Sequence, residues 1–280
     1  MTHACLVLAQ LAVAATARSH TTHAERAPHA RAAERSGAIT IDGRLDEAAW
    51  SAATPITAFR QTQPDEGSPA TQRTEVRVLF DGGSLYIGAR MYDTLGAQGV
   101  HSALVRRDQQ LDLDNGKSSQ FTSDKLTIIL DPYHDHLTRV MFEINPSGVK
   151  GDALGAGGSN LDDSWDPVWD AAARVDSLGW TAEIRIPLSQ LRFAPHAGEQ
   201  TWGLQIIRTI DRLNERDEWA FAPKTETTGP ATYGHLSGLS LRTTPHQVEV
   251  MPYVSSRVEG NAANVGDPVN PVHHSQVAAG

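Results

Sequence analysis

Three groups of residues in this chain have types and spacings that chemistry could use. The first is "NLDDSWD", which places Asp162, Asp163 and Asp166 in one short segment. Hard cations are held by several carboxylate and carbonyl oxygens, so these three are the candidate ligands of a structural calcium ion. A second acidic run, "LDLDNG" (Asp112, Asp114, Asn115), has no glycine at the sixth loop position and no flanking helices, both of which a helix-loop-helix calcium site needs. The second group is "DPYHDH", with Asp131, His134, Asp135 and His136. Its residue types suit a metal, but it falls at a hairpin turn, where polar residues belong anyway, and it does not close a zinc ligand set. The third group is the carboxylates Glu143, Glu183, Asp211 and Glu218. Glycoside hydrolysis needs two carboxyls about 5–5.5 Å apart for retention or about 6.5–9.5 Å for inversion. No spacing singles out such a pair, and no Gly-x-Ser-x-Gly elbow, P-loop or HExxH motif occurs.

Aromatic rings are the other candidate groups. The stretch "DSWDPVWDAAARVDSLGWTAEIRIPLSQLRF" holds Trp165, Trp169 and Trp180, three of the six tryptophans. Strand alternation puts Trp180, Ala182, Ile184 and Ile186 on one face, which reads as core. Glu183 and Arg185 take the opposite face. There they either offer hydrogen bonds to a ligand or form a solvated cross-strand ion pair. Trp50, Trp169 and Trp202 also read as sheet filling. Trp165 stands in the acidic loop before Pro167, as a rim aromatic or as a lid over the sheet edge.

The elements that must position these residues are strands. "TEVRVLFDGGSLYIGARMYD" alternates Val76, Val78 and Phe80, then Leu85, Ile87, Ala89 and Met91, around an Asp81–Ser84 turn, and predicts a hairpin with one buried face. Further strands are predicted over 124–131, 138–145, 169–176, 180–187, 201–210, 218–223 and 234–241, with Pro-, Gly- and Ser-rich turns between several of them. "ITIDGRLDEAAW" reads as a short strand, a turn and one helical turn that carries Trp50 inward. Many strands and no long amphipathic helix predict an all-β fold, an antiparallel, jelly-roll-like β-sandwich.

With 280 residues, 40% hydrophobic and 20% charged, the chain is ordinary globular material. A net charge of −9 argues against a nucleic-acid surface, which needs clustered cations. The single cysteine, Cys5, lies in "HACLVLAQLAVAATA", a run too short to span a bilayer and followed by small residues. Residues 1–17 are therefore expected to be a signal peptide, although only Thr2 and His3 stand where a positive n-region belongs. Export to the periplasm or outer membrane follows, and the mature chain would have no thiol chemistry. Residues 18–37 read as a linker, 38–244 as the sandwich, and 245–280 as the start of a further region containing one alternating strand around Val248 and Val250.

"ITIDGRLDEAAW", "TEVRVLFDGGSLYIGARMYD", "FTSDKLTIILDPYHD", "FEINPSGVKGD", "WDPVWDAAARVDSLGWTAEIRIPLSQLRF", "WGLQIIRTI" and "YGHLSGL" occur in that order from Ile39 to Leu241. Together they resemble the family 9 carbohydrate-binding modules, and more closely the relatives found at the N-terminus of bacterial outer-membrane proteins with a C-terminal β-barrel. "VEVMPYVSSR" is similar to the opening of that barrel region. The resemblance implies a non-catalytic β-sandwich with a carbohydrate partner, within a carbohydrate catabolism or uptake system, and with structural calcium in some members. It leaves two alternatives: an ancillary domain of a glycoside hydrolase, or a periplasmic docking or plug domain of a barrel with no sugar ligand. It also implies two aromatic rings that clamp a pyranose, at Phe121 in "FTSD" and Trp219 in "EWAF". The charged groups that accompany those rings differ here. Thr127 stands where an acid is expected, and Glu143 where an arginine is expected. Sugar hydroxyls need convergent partners, because an unpaired buried polar group costs about 1–3 kcal/mol.

Overall fold

The computed structural model describes residues 27–109, 123–156, 161–194 and 197–241, together with strands at 256–260 and 275–279. Phe121 and the Asp112–Asn115 run lie outside the described residues, as does the alternating segment around Val248 and Val250. Contacts divide the chain into one unit up to Pro245 and a second from His246.

The first unit is built from two sheets. The smaller contains the predicted hairpin, β4 (Thr74–Phe80) and β5 (Ser84–Tyr92), flanked by β2 (Ala33–Glu34) on one side. On the other side β11 (Gly179–Pro187) pairs with β5, and β10 (Asp170–Asp176) pairs with β11, giving the order β10-β11-β5-β4-β2. The larger sheet is centred on β12 (Gln200–Ile210), β6 (Lys125–Asp131) and β7 (Thr138–Ile144). It runs β1-β14-β12-β6-β7-β8-β9, where β1 is His29–Arg31, β14 Gly234–Leu239, β8 Lys150–Ala156 and β9 Leu161–Asp162. Two more strands, β13 (Glu215–Glu218) and β3 (Arg60–Gln63), extend from β12.

Alternation decides what each strand buries. Val76, Val78, Ile87, Ala89, Trp180, Ala182 and Ile184 from the smaller sheet pack against Leu126, Ile128, Phe142, Trp202, Leu204 and Ile206 from the larger. Trp169 at 2% exposure and Trp180 and Trp202 at 0% are sheet filling, as their patterns predict. Trp50 is also buried, but in a separate cluster with Leu79 and Tyr86 on the back of the smaller sheet.

Two readings change. Residues 29–34 are strands rather than linker. β1 pairs in parallel with β14, and β2 pairs in parallel with β4. Exposed backbone at both sheet edges recruits this segment, which its polar side chains do not announce. The strand expected over 218–223 ends at Glu218. The Trp219 N–H still donates to the Ile206 carbonyl of β12 at 3.0 Å, and at Ala220 the chain leaves the sheet, its N–H donating to the Gln205 side chain at 2.9 Å. The second unit contributes an antiparallel pair, β15 (Ser256–Gly260) with β16 (Ser275–Ala279).

Candidate functional site

The site builds up from the outer face of the larger sheet, the side away from the core. β6 sends Lys125, Thr127 and Ile129 outward, β7 sends Arg139, Met141 and Glu143, and β12 sends Gln205 and Ile207. Cross-strand register sets Glu143 beside Thr127, Thr127 beside Ile207, and Ile207 beside Glu218 of β13. The facing positions of β8 are small: Gly151, Ala153 and Gly155. A Cβ at Gly155 would stand 2.9 Å from the Arg139 side chain, so this glycine makes room for the arginine stem. Small residues on β8 beside long ones on β7 leave a recess lined by Thr127, Ile129, Arg139, Met141, Glu143, Leu161, Ile207 and Arg216.

The recess is half polar and half apolar. Thr127 Oγ1 donates to Glu143 Oε2 at 3.0 Å, so the threonine that replaces an expected acid serves the glutamate that replaces an expected arginine. Arg216 Nε donates to Glu218 Oε1 at 3.1 Å, and Gln205 Nε2 donates to Glu218 Oε2 at 3.1 Å. Ile129, Met141, Ala153, Ile207 and Tyr233 form a small apolar cluster on the same face. Arg139 and Glu143 are buried, while Arg216 and Leu161 are half-exposed. The free volume is about 20 Å³, space for about one water molecule and not for a sugar ring.

Of the predicted ligand residues, those that the structure describes, Trp219, Trp165, Glu183 and Arg185, do not gather there. Trp219 follows Glu218, and one step along the chain turns it to the core side. Its ring is 7% exposed and fills the space that Gly234 leaves empty, where a Cβ would meet it at 2.5 Å. Trp165 is half-buried, its ring edge-on to Phe142 at 5.9 Å, so it extends the core rather than standing free at a rim. Glu183 is fully buried. One of its oxygens accepts the backbone N–H groups of Asp42 and Gly43, each at 2.9 Å, and the other accepts the Trp50 indole N–H at 3.1 Å. Burial outweighs these bonds and pushes its pKa up to about 7. The reason it has no open face is that residues 39–53 cover that side of the smaller sheet. Arg185 is exposed and pairs across the strands with Asp170 at 3.3 Å, the solvated ion pair that was one of its two readings.

The three aspartates of the acidic loop have separate surroundings. Asp162 accepts the backbone N–H and hydroxyl of Ser164, at 3.0 and 2.5 Å. Asp166 pairs with Arg107 at 2.8 Å, and Asp163 points to solvent. Among the described residues no three such groups converge on a point that would hold a metal. Arg107 also binds the buried Asp152, whose carboxylate accepts the Trp169 indole N–H at 2.9 Å.

Sequence reasoning missed Arg139 and Arg216. Their positions on β7 and β13 are readable as outward-facing, but only register brings them to one recess.

Two sheets packed face to face across one apolar core define the β-sandwich class. The chain belongs to the carbohydrate family 9 binding domain-like family, whose model matches residues 41–237. Among solved structures it is similar to a family 9 carbohydrate-binding module from Caldicellulosiruptor kristjanssonii in complex with cellotriose, at 16% identity and a TM-score of 0.53. That match covers 80% of this chain and 100% of the module. The same organism's module in complex with glucose matches at 16% identity and a TM-score of 0.51, over 77% of this chain and 100% of that one. A Bacteroides uniformis protein assigned to carbohydrate binding matches at 12% identity and a TM-score of 0.57, over 76% of this chain and 100% of that one. No curated protein sequence matches it.

Proposed function

We propose that this protein is a non-catalytic carbohydrate-binding domain that takes free sugars or polysaccharide ends on the outer face of its larger sheet. The observation that carries the reading is the recess where Glu143, Thr127, Arg139 and Arg216 meet the apolar patch of Ile129, Met141 and Ile207. A sheet face that buries charged groups without a functional use bears a desolvation cost that apolar residues would avoid. A pyranose has the matching character, with hydroxyls around its edge and an apolar face of C–H groups. The ligand would lie across the recess, reaching Arg216 first, because the space inside admits only about one water. The setting we propose is a carbohydrate catabolism or uptake system outside the inner membrane, in keeping with the leader-like first 17 residues.

Titration calorimetry with glucose, xylose and cello-oligosaccharides tests this reading. Millimolar-to-micromolar binding is expected, about −4 to −8 kcal/mol, weakened roughly tenfold in Arg216→Ala. Flat titrations with all three sugars refute it. The small recess and the inward-packed Trp219 leave no ready aromatic clamp among the described residues, so flat titrations would leave the alternative of a docking domain with no sugar ligand.

A further inference from the structure

Four imidazoles gather at the β1 end of the larger sheet, apart from the recess. His29 and His235 are direct partners across the parallel β1–β14 pair. His235 is partnered in turn by Gly203 of β12, and Gly203 by Asp131 at the end of β6. Glycine leaves a gap in this outer-face row, where a Cβ would stand 2.9 Å from that of Asp131. The turn after β6 brings His134 across the gap, so that its Nε2 lies 3.1 Å from Nδ1 of His235. The ring centroids follow one another closely: His29 to His235 at 4.8 Å, His235 to His134 at 5.0 Å, and His134 to His136 at 4.7 Å. Asp131 fixes the turn from below, its buried carboxylate accepting the backbone N–H groups of His136 at 2.8 Å and Asp135 at 3.3 Å.

Two ring nitrogens in one hydrogen bond share one proton and one lone pair. A cation held by both at roughly 2.0–2.1 Å with a tetrahedral angle needs those nitrogens about 3.3 Å apart, close to the spacing present. Loss of the shared proton and a tilt of the two rings would turn the hydrogen bond into a chelate. His29 and His136 are exposed and flank the pair on either side. The rings now meet pairwise, and among the described residues no three donors already share one point. His29 and His136 touch the central pair through their rings, and because both are exposed, rotation about their side-chain bonds would bring a ring nitrogen to the cation.

We propose that His134 and His235, with His29 and His136 as flanking ligands, form a surface site for a borderline first-row cation such as Zn²⁺, Ni²⁺ or Cu²⁺. Neutral imidazole suits these ions, and the site has none of the oxygen-rich character that calcium requires. The sequence placed only half of this set, because His29 and His235 join His134 and His136 through strand pairing alone.

The full untagged chain, titrated calorimetrically with Zn²⁺ and with Ni²⁺ near neutral pH, should show a saturable micromolar event. His134→Ala and His235→Ala should each weaken it by about tenfold or more, since a lost ligand is not replaced. His101→Ala, which alters a histidine paired instead with Asp211, should leave it unchanged. Absence of saturable heat, or equal affinity in the His134→Ala/His235→Ala double variant, overturns the proposal. Electron paramagnetic resonance of the Cu²⁺-loaded wild type is compared with that of the His134→Ala/His235→Ala variant. A set of imidazole nitrogen splittings lost in the variant supports the site, and identical spectra or oxygen-only coordination refute it.

Discussion

Asp217 should carry a proton in the folded protein at neutral pH, and replacing it with asparagine should change how stability responds to pH. The side chain is fully buried on β13, and neither carboxylate oxygen meets a hydrogen-bond donor. Its neighbour Glu215 is also buried and is already engaged by the Thr71 N–H and hydroxyl, at 2.8 and 2.6 Å. Burial first, then the repulsion of Glu215, pushes the Asp217 pKa up to about 8 against the pull of Arg208. A proton on Asp217 turns two repelling acceptors into a donor and an acceptor. The unfolded chain gives that proton up near its ordinary value of about 3.9. Between the two values the folded state binds one proton more than the unfolded state. Stability therefore falls as pH rises through this window, by about 1.4 kcal/mol per pH unit. From pH 4 to pH 7 that amounts to about 4 kcal/mol from this one residue.

Asp217→Asn places a neutral amide donor at the same point and removes the proton uptake. The assay is urea unfolding at a series of pH values from about 5 to 8, a range within the window just worked out. Tryptophan fluorescence reports on the correct unit, because all six tryptophans precede Pro245. The variant should gain on the wild type by about 1.4 kcal/mol for each pH unit and be the more stable protein at neutral pH. Glu183 and Asp124, raised to about 7 and about 6 by burial, add the same sign of slope to both proteins and cancel in the difference. Parallel curves, or a variant less stable than wild type at neutral pH, would mean that Asp217 is ionised and paired with Arg208, and would refute the reasoning.

Glu183→Ala should lower stability by about 2–4 kcal/mol, because it strips the acceptor from two backbone N–H groups and the Trp50 indole. Glu183→Gln keeps an acceptor and should cost less, and a melting series that ranks the two equally would show that the segment around Trp50 does not depend on this carboxylate. Calcium and a chelator should give the same melting midpoint, since Asp162 and Asp166 are spent on Ser164 and Arg107. A rise in midpoint with calcium that Asp162→Asn abolishes would show that the acidic loop takes the ion.

Period-two alternation is a local property, and it made the sandwich legible. Val76, Val78, Ile87 and Ala89 are buried as their spacing required, and so are Trp180, Ala182 and Ile184. Alternation assigns side chains to two faces, but it does not say what lies over each face. Glu183 and Arg185 share the side opposite Trp180 by sequence, yet one is sealed beneath residues 39–53 and the other is open to water. Trp219 has the ring a sugar clamp requires, and a strand that ends one residue earlier turns it into the core.

The strand-rich, cysteine-poor chain determined by itself that it would bury alternating faces between sheets, because that depends on neighbours along the backbone. Only tertiary structure decided which polar groups meet. Arg139, Glu143 and Arg216 come from β7 and β13, and His29, His134 and His235 from three other places in the chain. Their meeting is set by strand order and register, through hydrogen bonds that carry no signature of the side chains they bring together.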